Sequence, residues 1–217
     1  AARGRIRAVS CALAVVDRRP GSRYATRSMT DLRRVDLDDT HAVLVGSLRK
    51  ESFNRRLAQA LARMAPAGCK FTMPRIDDLP LYNQDDDAQQ AEPVRRLKSE
   101  IAAAQGVIFV TPEYNRSVPG VLKNAIDHAS RPYGTSAWAG KPAGVIGVSG
   151  GAIGTALAQQ HLRNILAYLD MPTLGQPEAF IQAKEGLFGA DGEIGETSRK
   201  FVQTWLDAYM AWVKKHA

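Results

Sequence analysis

The sequence predicts a three-layer α/β sandwich: a five-stranded parallel sheet in the order 2-1-3-4-5, with helices on both faces. Three observations carry this. Short runs such as Ala42–Val45 and Gly106–Val110 are apolar at every position, as strands buried on both faces must be. Between them lie stretches whose apolar residues recur at helical spacing. Prolines and glycines punctuate the junctions, so each element is short and the alternation is regular. A chain of 217 residues with 45% hydrophobic and 24% charged side chains has the composition of one such domain.

The first strand, Ala42 to Val45, ends at Gly46. A helix capped by Ser47 or Ser52 follows, with Phe53, Leu57, Ala60, Leu61 and Met64 as its stripe, stopped by Pro66 and Gly68. Cys69 to Met73 reads as the second strand, with Phe71 and Met73 on one face. Asp77 to Glu92 has no periodicity and reads as loop. Pro93 opens a helix bearing Val94, Leu97, Ile101 and Ala104. Gly106 to Thr111 is the third strand, and Pro119 starts the next helix with Val121, Leu122, Ala125 and Ile126. Ala143 to Val148 is the fourth strand, and a long helix runs from about Ile153 to Leu169. Ala179 to Ile181 makes a short fifth strand. Thr197 to Lys215 closes the chain as an amphipathic helix with Phe201, Trp205, Ala208 and Trp212 on one face. This βα alternation suits a flavodoxin-like sheet, in which ligands bind beyond the carboxyl ends of the strands beside strand one.

The formal net charge of +7 suggests nucleic acid until it is partitioned. Residues 1–28 hold seven arginines against Asp17 alone, which leaves 22 basic and 21 acidic side chains elsewhere. No basic cluster interleaved with aromatics occurs, so a nucleic-acid partner is not expected. The Arg-rich, acid-poor arm overlaps in composition with organellar transit peptides. The favoured reading is upstream sequence, since Met29-Thr30-Asp31 would make a natural beginning. Residues 1–38 are expected to form a loosely attached or processed extension and residues 39–217 the folded domain. No apolar run is long enough to span a bilayer. Two cysteines, Cys11 and Cys69, cannot alone make a disulfide framework or a structural zinc site, so a reducing, cytoplasmic setting is expected.

The chemistry should lie at three strand ends. After the first strand comes Gly46-Ser47-Leu48-Arg49-Lys50-Glu51-Ser52-Phe53-Asn54. Unpaired N–H groups opening a helix, with Ser47, Ser52 and Asn54 as neutral donors and Arg49 as a planar fork, make an anion site. A simpler reading leaves Ser52 as a cap and Arg49 in solvent. The spacing fits neither G-x-G-x-x-G nor G-x-x-x-x-G-K-[ST]. After the third strand, Thr111-Pro112-Glu113-Tyr114-Asn115-Arg116-Ser117-Val118-Pro119-Gly120 makes a rigid bend suited to a planar heteroaromatic ring, or an ordinary connector. After the fourth, Ser149-Gly150-Gly151-Ala152-Ile153-Gly154 permits close backbone approach.

Together these loops resemble the NADPH-dependent FMN reductase family, whose flavodoxin-like members include quinone, azo-dye and chromate reductases. The carriers are Gly46-Ser47-Leu48-Arg49-x-x-Ser52-x-Asn54 and Pro112-Glu113-Tyr114-Asn115-x-Ser117-x-Pro119-Gly120-x-Leu122-Lys123-Asn124-Ala125-Ile126-Asp127. The resemblance implies that Ser47, Arg49, Ser52 and Asn54, with Phe53 beside them, hold the FMN phosphate. Pro112, Glu113, Tyr114 and Asn115 would border the isoalloxazine, with Ser149 and Gly150 at its other edge. It implies hydride transfer from NADPH or NADH through FMN to a small-molecule acceptor by ping-pong kinetics, with no catalytic side chain required. A flavodoxin-style electron carrier or a flavin redox sensor is the alternative. Arg116 departs from the aromatic or small residue common in relatives, and could meet a nicotinamide-cofactor phosphate, an anionic acceptor or a partner subunit, or stay in solvent. Thr155 departs from a second glycine.

The remaining candidates read as structural. His128 and His161 are expected on helix surfaces or an interface, and Asp85-Asp86-Asp87 as hydrated loop, not a metal site. Trp205 and Trp212 are expected to anchor the last helix. Val121, Ile126, Ile165, Leu166 and Tyr168 exceed one packing face, which together with the resemblance implies a homodimer or tetramer.

Overall fold

The computed structural model describes residues 39–216, and the expectations for residues 1–38 lie outside them. The chain alternates strand and helix throughout: β1 (Asp39–Val45), α1 (Phe53–Met64), β2 (Cys69–Thr72), α2 (Glu92–Ala103), β3 (Gly106–Val110), α3 (Gly120–Ala129), β4 (Ala143–Ser149), α4 (Ala156–Tyr168), β5 (Phe180–Gln182) and α5 (Glu196–His216). The strands form one parallel sheet in the order β2-β1-β3-β4-β5. Two cores cover it. Leu57 and Leu61 of α1 and Val202, Trp205 and Leu206 of α5 pack on one face; Leu97 and Ile101 of α2, Leu122 and Ile126 of α3 and Leu162 and Leu166 of α4 pack on the other. All five β3 residues are buried, which is why their sequence shows no polar alternation.

Two glycines in adjacent strands decide how α5 sits. A Cβ on Gly106 would lie 2.6 Å from the Tyr209 hydroxyl, and one on Gly144 would lie 2.7 Å from the Tyr209 ring. Tyr209 and Trp205 fill that trough, stacked with centroids 5.8 Å apart. The α5 stripe is therefore Val202, Trp205, Leu206, Tyr209 and Val213, rotated from the expected Phe201, Trp205, Ala208 and Trp212. Phe201 is 43% exposed, and Trp212 is half-buried, donating its indole N–H to Pro172.

Other departures are local. The segment read as loop contains a short 3-10 helix, Gln84–Gln89, whose first turn is capped by Asn83 accepting from Asp85 N–H. The run Asp85–Asp87 thus lies in the first turn of that helix. Met73 lies past the end of β2 and is 37% exposed. The last central helix starts at Ala156 instead of Ile153, because Gly154 takes a left-handed turn (φ 63°) with only 2.8 Å between a Cβ there and Phe180 backbone. His128 is not a surface residue: it is 5% exposed, and its Nε2–H donates to Pro80 at 2.9 Å. With Asn124, which exchanges hydrogen bonds with Tyr82 N–H and Pro80 C=O, it pins the segment after β2 onto α3. Ile126 and Leu166, read as interface surplus, belong to the chain's own core, while Tyr168 is 83% exposed.

Candidate functional site

Parallel register sets the site. Val45 pairs with Val110, Val110 with Ile146, and Val148 with Ile181, so three loops leave the carboxyl edge of the sheet side by side. Gly46 crosses closest: a Cβ there would meet Leu122 at 3.1 Å and Pro112 at 3.3 Å. Between the loops lies a cavity of about 240 Å³. Ser47, Arg49, Ser52, Phe53 and Asn54 line its α1 side; Pro112, Glu113 and Tyr114 the β3 side; Val148, Ser149 and Gly150 the β4 side. Ten of the eleven residues singled out from the sequence thus border one cavity.

Each side chain has a definite local role. Ser52 is the N-cap of α1, its Oγ accepting from Arg55 N–H at 3.2 Å. Ser47 is 3% exposed, and Arg49 stands in solvent with no intramolecular partner among the described residues. Asn54 is spent on a structural tie: its Nδ2 donates to Val148 C=O at 2.8 Å and its Oδ1 accepts from Val148 N–H at 2.9 Å. That clamp fixes the start of α1 against the end of β4, so Asn54 shapes the cavity by holding two of its walls together. Val148 was missed by the sequence reading, because an apolar strand residue carries no polar signal of its own.

Glu113 lines the cavity with its carboxylate engaged by α4. Its Oε2 accepts from Leu157 N–H at 3.0 Å and Ala158 N–H at 3.1 Å, capping α4 from a distant loop, and its side chain is 6% exposed. Arg116 approaches the other carboxylate oxygen at 3.4 Å and is otherwise exposed. Asn115 is the one expected site residue that does not line the cavity. Asn115 and Arg116 both have positive φ (49° and 66°) and join Tyr114 to Ser117 through two reciprocal backbone hydrogen bonds. That is a two-residue hairpin turn of the primed type. Ser117 in turn meets His161 Nδ1 at 2.9 Å, which places exposed His161 against this loop.

On the β4 side, Ser149 Oγ accepts from Gly151 N–H at 3.1 Å. A Cβ on Gly150 would find nothing within 4 Å, so backbone there borders open space. Thr155, where a second glycine is common in relatives, is fully buried and accepts from Gln159 instead of blocking the cavity. The strongly displaced ionisable group among the described residues lies elsewhere: burial drives the Tyr209 hydroxyl well above its ordinary range. A second cavity of about 330 Å³ shares Phe53 and is walled by Arg56, stacked 4.4 Å over the Phe188 ring, and the loop after β5.

A doubly wound parallel sheet with a helix start and an open cavity at its switch point is the arrangement of a mononucleotide-binding α/β protein. The model of the NADPH-dependent FMN reductase family matches residues 40–186, and the chain belongs to that family. A 2-hydroxy-1,4-benzoquinone reductase from Burkholderia sp is 55% identical over 174 residues, 80% of this chain and 95% of that protein. A quinone reductase from Pseudomonas putida is 50% identical over 174 residues, 80% of this chain and 94% of that protein. Among solved structures, the flavoenzyme NAD(P)H:(acceptor) oxidoreductase of Paracoccus denitrificans superposes with a TM-score of 0.79 at 47% identity, covering 82% of this chain and 98% of that one. The protein is thus an NAD(P)H-dependent flavin enzyme with FMN as its cofactor.

The residues fit that cofactor. A phosphate dianion needs N–H and O–H donors and no free carboxylate nearby. The cavity offers the start of α1, Ser47, Ser52 and the Arg49 fork, and its one lining carboxylate, Glu113, is already consumed by α4. No helix among the described residues is long and apolar enough to cross a membrane.

Proposed function

We propose that this chain is a quinone reductase in which NAD(P)H and a quinone use one opening in turn, giving ping-pong kinetics. The observation that carries the reading is the cavity itself. Its lining pairs the start of α1 and its hydroxyl and guanidinium donors with a wall of Pro112, Tyr114 and open Gly150 backbone, and Glu113, its one acidic side chain, is engaged elsewhere. FMN, when bound, supplies the two-electron redox chemistry. The chain's part is to bind and orient. Ser47, Arg49, Ser52 and the first α1 amides would hold the phosphate, while the Pro112–Tyr114 segment and Ser149–Gly150 would flank the ring. Backbone N–H groups of these loops stabilise negative charge without any proton having to move on a side chain. The names of the relatives at 50–55% identity over nearly their full length support a quinone as the acceptor.

We further propose that the working form is a homodimer or tetramer in a cytoplasmic setting, with half-exposed Tyr114 and exposed Tyr168 among the residues that association would cover. Initial-rate measurements with NADPH, NADH and 2-hydroxy-1,4-benzoquinone test the catalytic reading. Parallel double-reciprocal lines support it; intersecting lines, or NAD(P)H oxidation that a quinone does not accelerate, contradict it. Sedimentation velocity tests the assembly, and a stable monomer would refute it.

A further inference from the structure

The end of the sheet opposite the cavity holds a side-chain cluster that the redox site does not use. Asp39 and Cys69 are register partners on β1 and β2, and His41 lies two residues along β1, so all three project from one sheet face. One ligand atom from each lies within 4.8 Å of the others. His41 is fully buried, packed between the Phe71 ring at 5.1 Å and the Tyr209 ring at 5.5 Å. Its Nδ1 hydrogen-bonds the Tyr209 hydroxyl at 3.0 Å, while its Nε2 is buried with no hydrogen-bond partner among the described residues and lies 3.5 Å from Asp39 Oδ1. Cys69 Sγ lies 3.8 Å from Asp39 Oδ2.

We propose that Asp39, His41 and Cys69 form a zinc site, a staple that clamps edge strand β2 to β1 at the amino end of the sheet.

The donor set of carboxylate, imidazole and thiolate suits a borderline-soft cation. A tetrahedral zinc with bonds of about 2.0–2.3 Å sets its ligand atoms roughly 3.3–3.6 Å apart. His41 Nε2 lies 3.5 Å from Asp39 Oδ1 and Cys69 Sγ 3.8 Å from Asp39 Oδ2, near those edges, and with all three ligand atoms within 4.8 Å of one another a cation needs only side-chain adjustment to enter. Tyr209 supplies the outer-shell contact that metal-binding histidines usually have. With Nδ1–H donating to the Tyr209 oxygen, the Nε2 lone pair is free to bind metal. Cys69 is half-buried and Asp39 is 34% exposed, which leaves an entry path and room for a water as fourth ligand. A thiol binds zinc as thiolate, so the Cys69 proton leaves to solvent when the metal binds. Edge strands are where a parallel sheet is least secured, and β2 is only four residues long.

Zinc titrated calorimetrically into the chelator-treated FMN-loaded chain tests this. The expected result is one zinc per chain, a proton released, and a raised melting temperature. Cys69→Ser and Asp39→Asn, both conservative changes at partly exposed positions, should each weaken zinc binding at least about tenfold and abolish the thermal shift, with FMN binding unchanged. Cys11→Ser should bind zinc as the unaltered chain does. Absence of stoichiometric zinc, equal binding by Cys69→Ser or Asp39→Asn, or dependence on Cys11 would each overturn the assignment.

Discussion

Glu113 Oε2 lies 3.1 Å from the backbone nitrogen of Ala158, joining the loop after β3 to the first turn of α4 across 45 residues of chain. Thr155, at the helix's own cap position, makes no side-chain cap bond, so the carboxylate is the cap. Glu113→Ala is expected to cost about 1–2 kcal/mol in urea unfolding, the range for a lost cap with its charge–dipole contribution. Glu113→Gln, which keeps the acceptor and loses the charge, should cost about half as much. Because the same loop forms one cavity wall, FMN affinity should fall in the same order. Equal stability of all three proteins would show that the contact contributes nothing.

Asn54 separates shape from charge within the cavity. Asn54→Asp keeps the acceptor for Val148 N–H but loses the donor to Val148 C=O and places a carboxylate among phosphate donors. Stability should fall by about 1–3 kcal/mol, the cost of an unsatisfied buried acceptor. FMN affinity should fall further than riboflavin affinity, since only FMN carries the phosphate. Fluorescence titration with both flavins reads the difference.

Arg116 holds a left-handed conformation that costs an L side chain roughly 1 kcal/mol. Among the described residues its only ion pair is the 3.4 Å contact to Glu113 from an exposed position. Arg116→Gly should therefore stabilise the chain by about 0.5–1 kcal/mol in a denaturant midpoint, with the hairpin intact. A loss of stability would mean that the Arg116–Glu113 pair outweighs the turn strain. Any change in KM for NADPH without a change for NADH would reveal a role towards the 2′-phosphate.

Asp78 is gripped by Arg96 through two hydrogen bonds of 2.7 and 3.0 Å, and this guanidinium holds its carboxyl below the usual carboxylate range. A folded pKa below the unfolded value gives stability that is present above the unfolded pKa of about 3.9 and lost as pH falls through the folded one. Asp78→Asn should be less stable than the unaltered chain at neutral pH. That gap should close as pH drops below about 4; a gap independent of pH would assign the loss to packing alone.

The sheet order was legible because strands buried on both faces leave unbroken apolar runs, and β3 and β4 are of that kind. The cavity was legible because its polar residues sit in short loops at strand ends that parallel register must bring together. What stayed hidden depended on contacts distant in sequence. The α5 stripe is set by the trough at Gly106 and Gly144, and the burial of His128 by Pro80. The capping role of Glu113 was hidden because its partners, Leu157 and Ala158, offer only backbone N–H groups. The pairing of Asp39 with Cys69 needed the register of β1 on β2, which no local pattern gives.

Ser52 offers the most direct test of where the phosphate is held. Aspartate caps a helix about as well as serine, so Ser52→Asp keeps the cap to Arg55 while setting a negative charge at the mouth of α1. Titrating FMN into this variant, followed by quenching of flavin fluorescence, should show affinity reduced about 10- to 100-fold at an unchanged melting temperature. Undiminished FMN binding by the Ser52→Asp protein would place the phosphate elsewhere and contradict the site described.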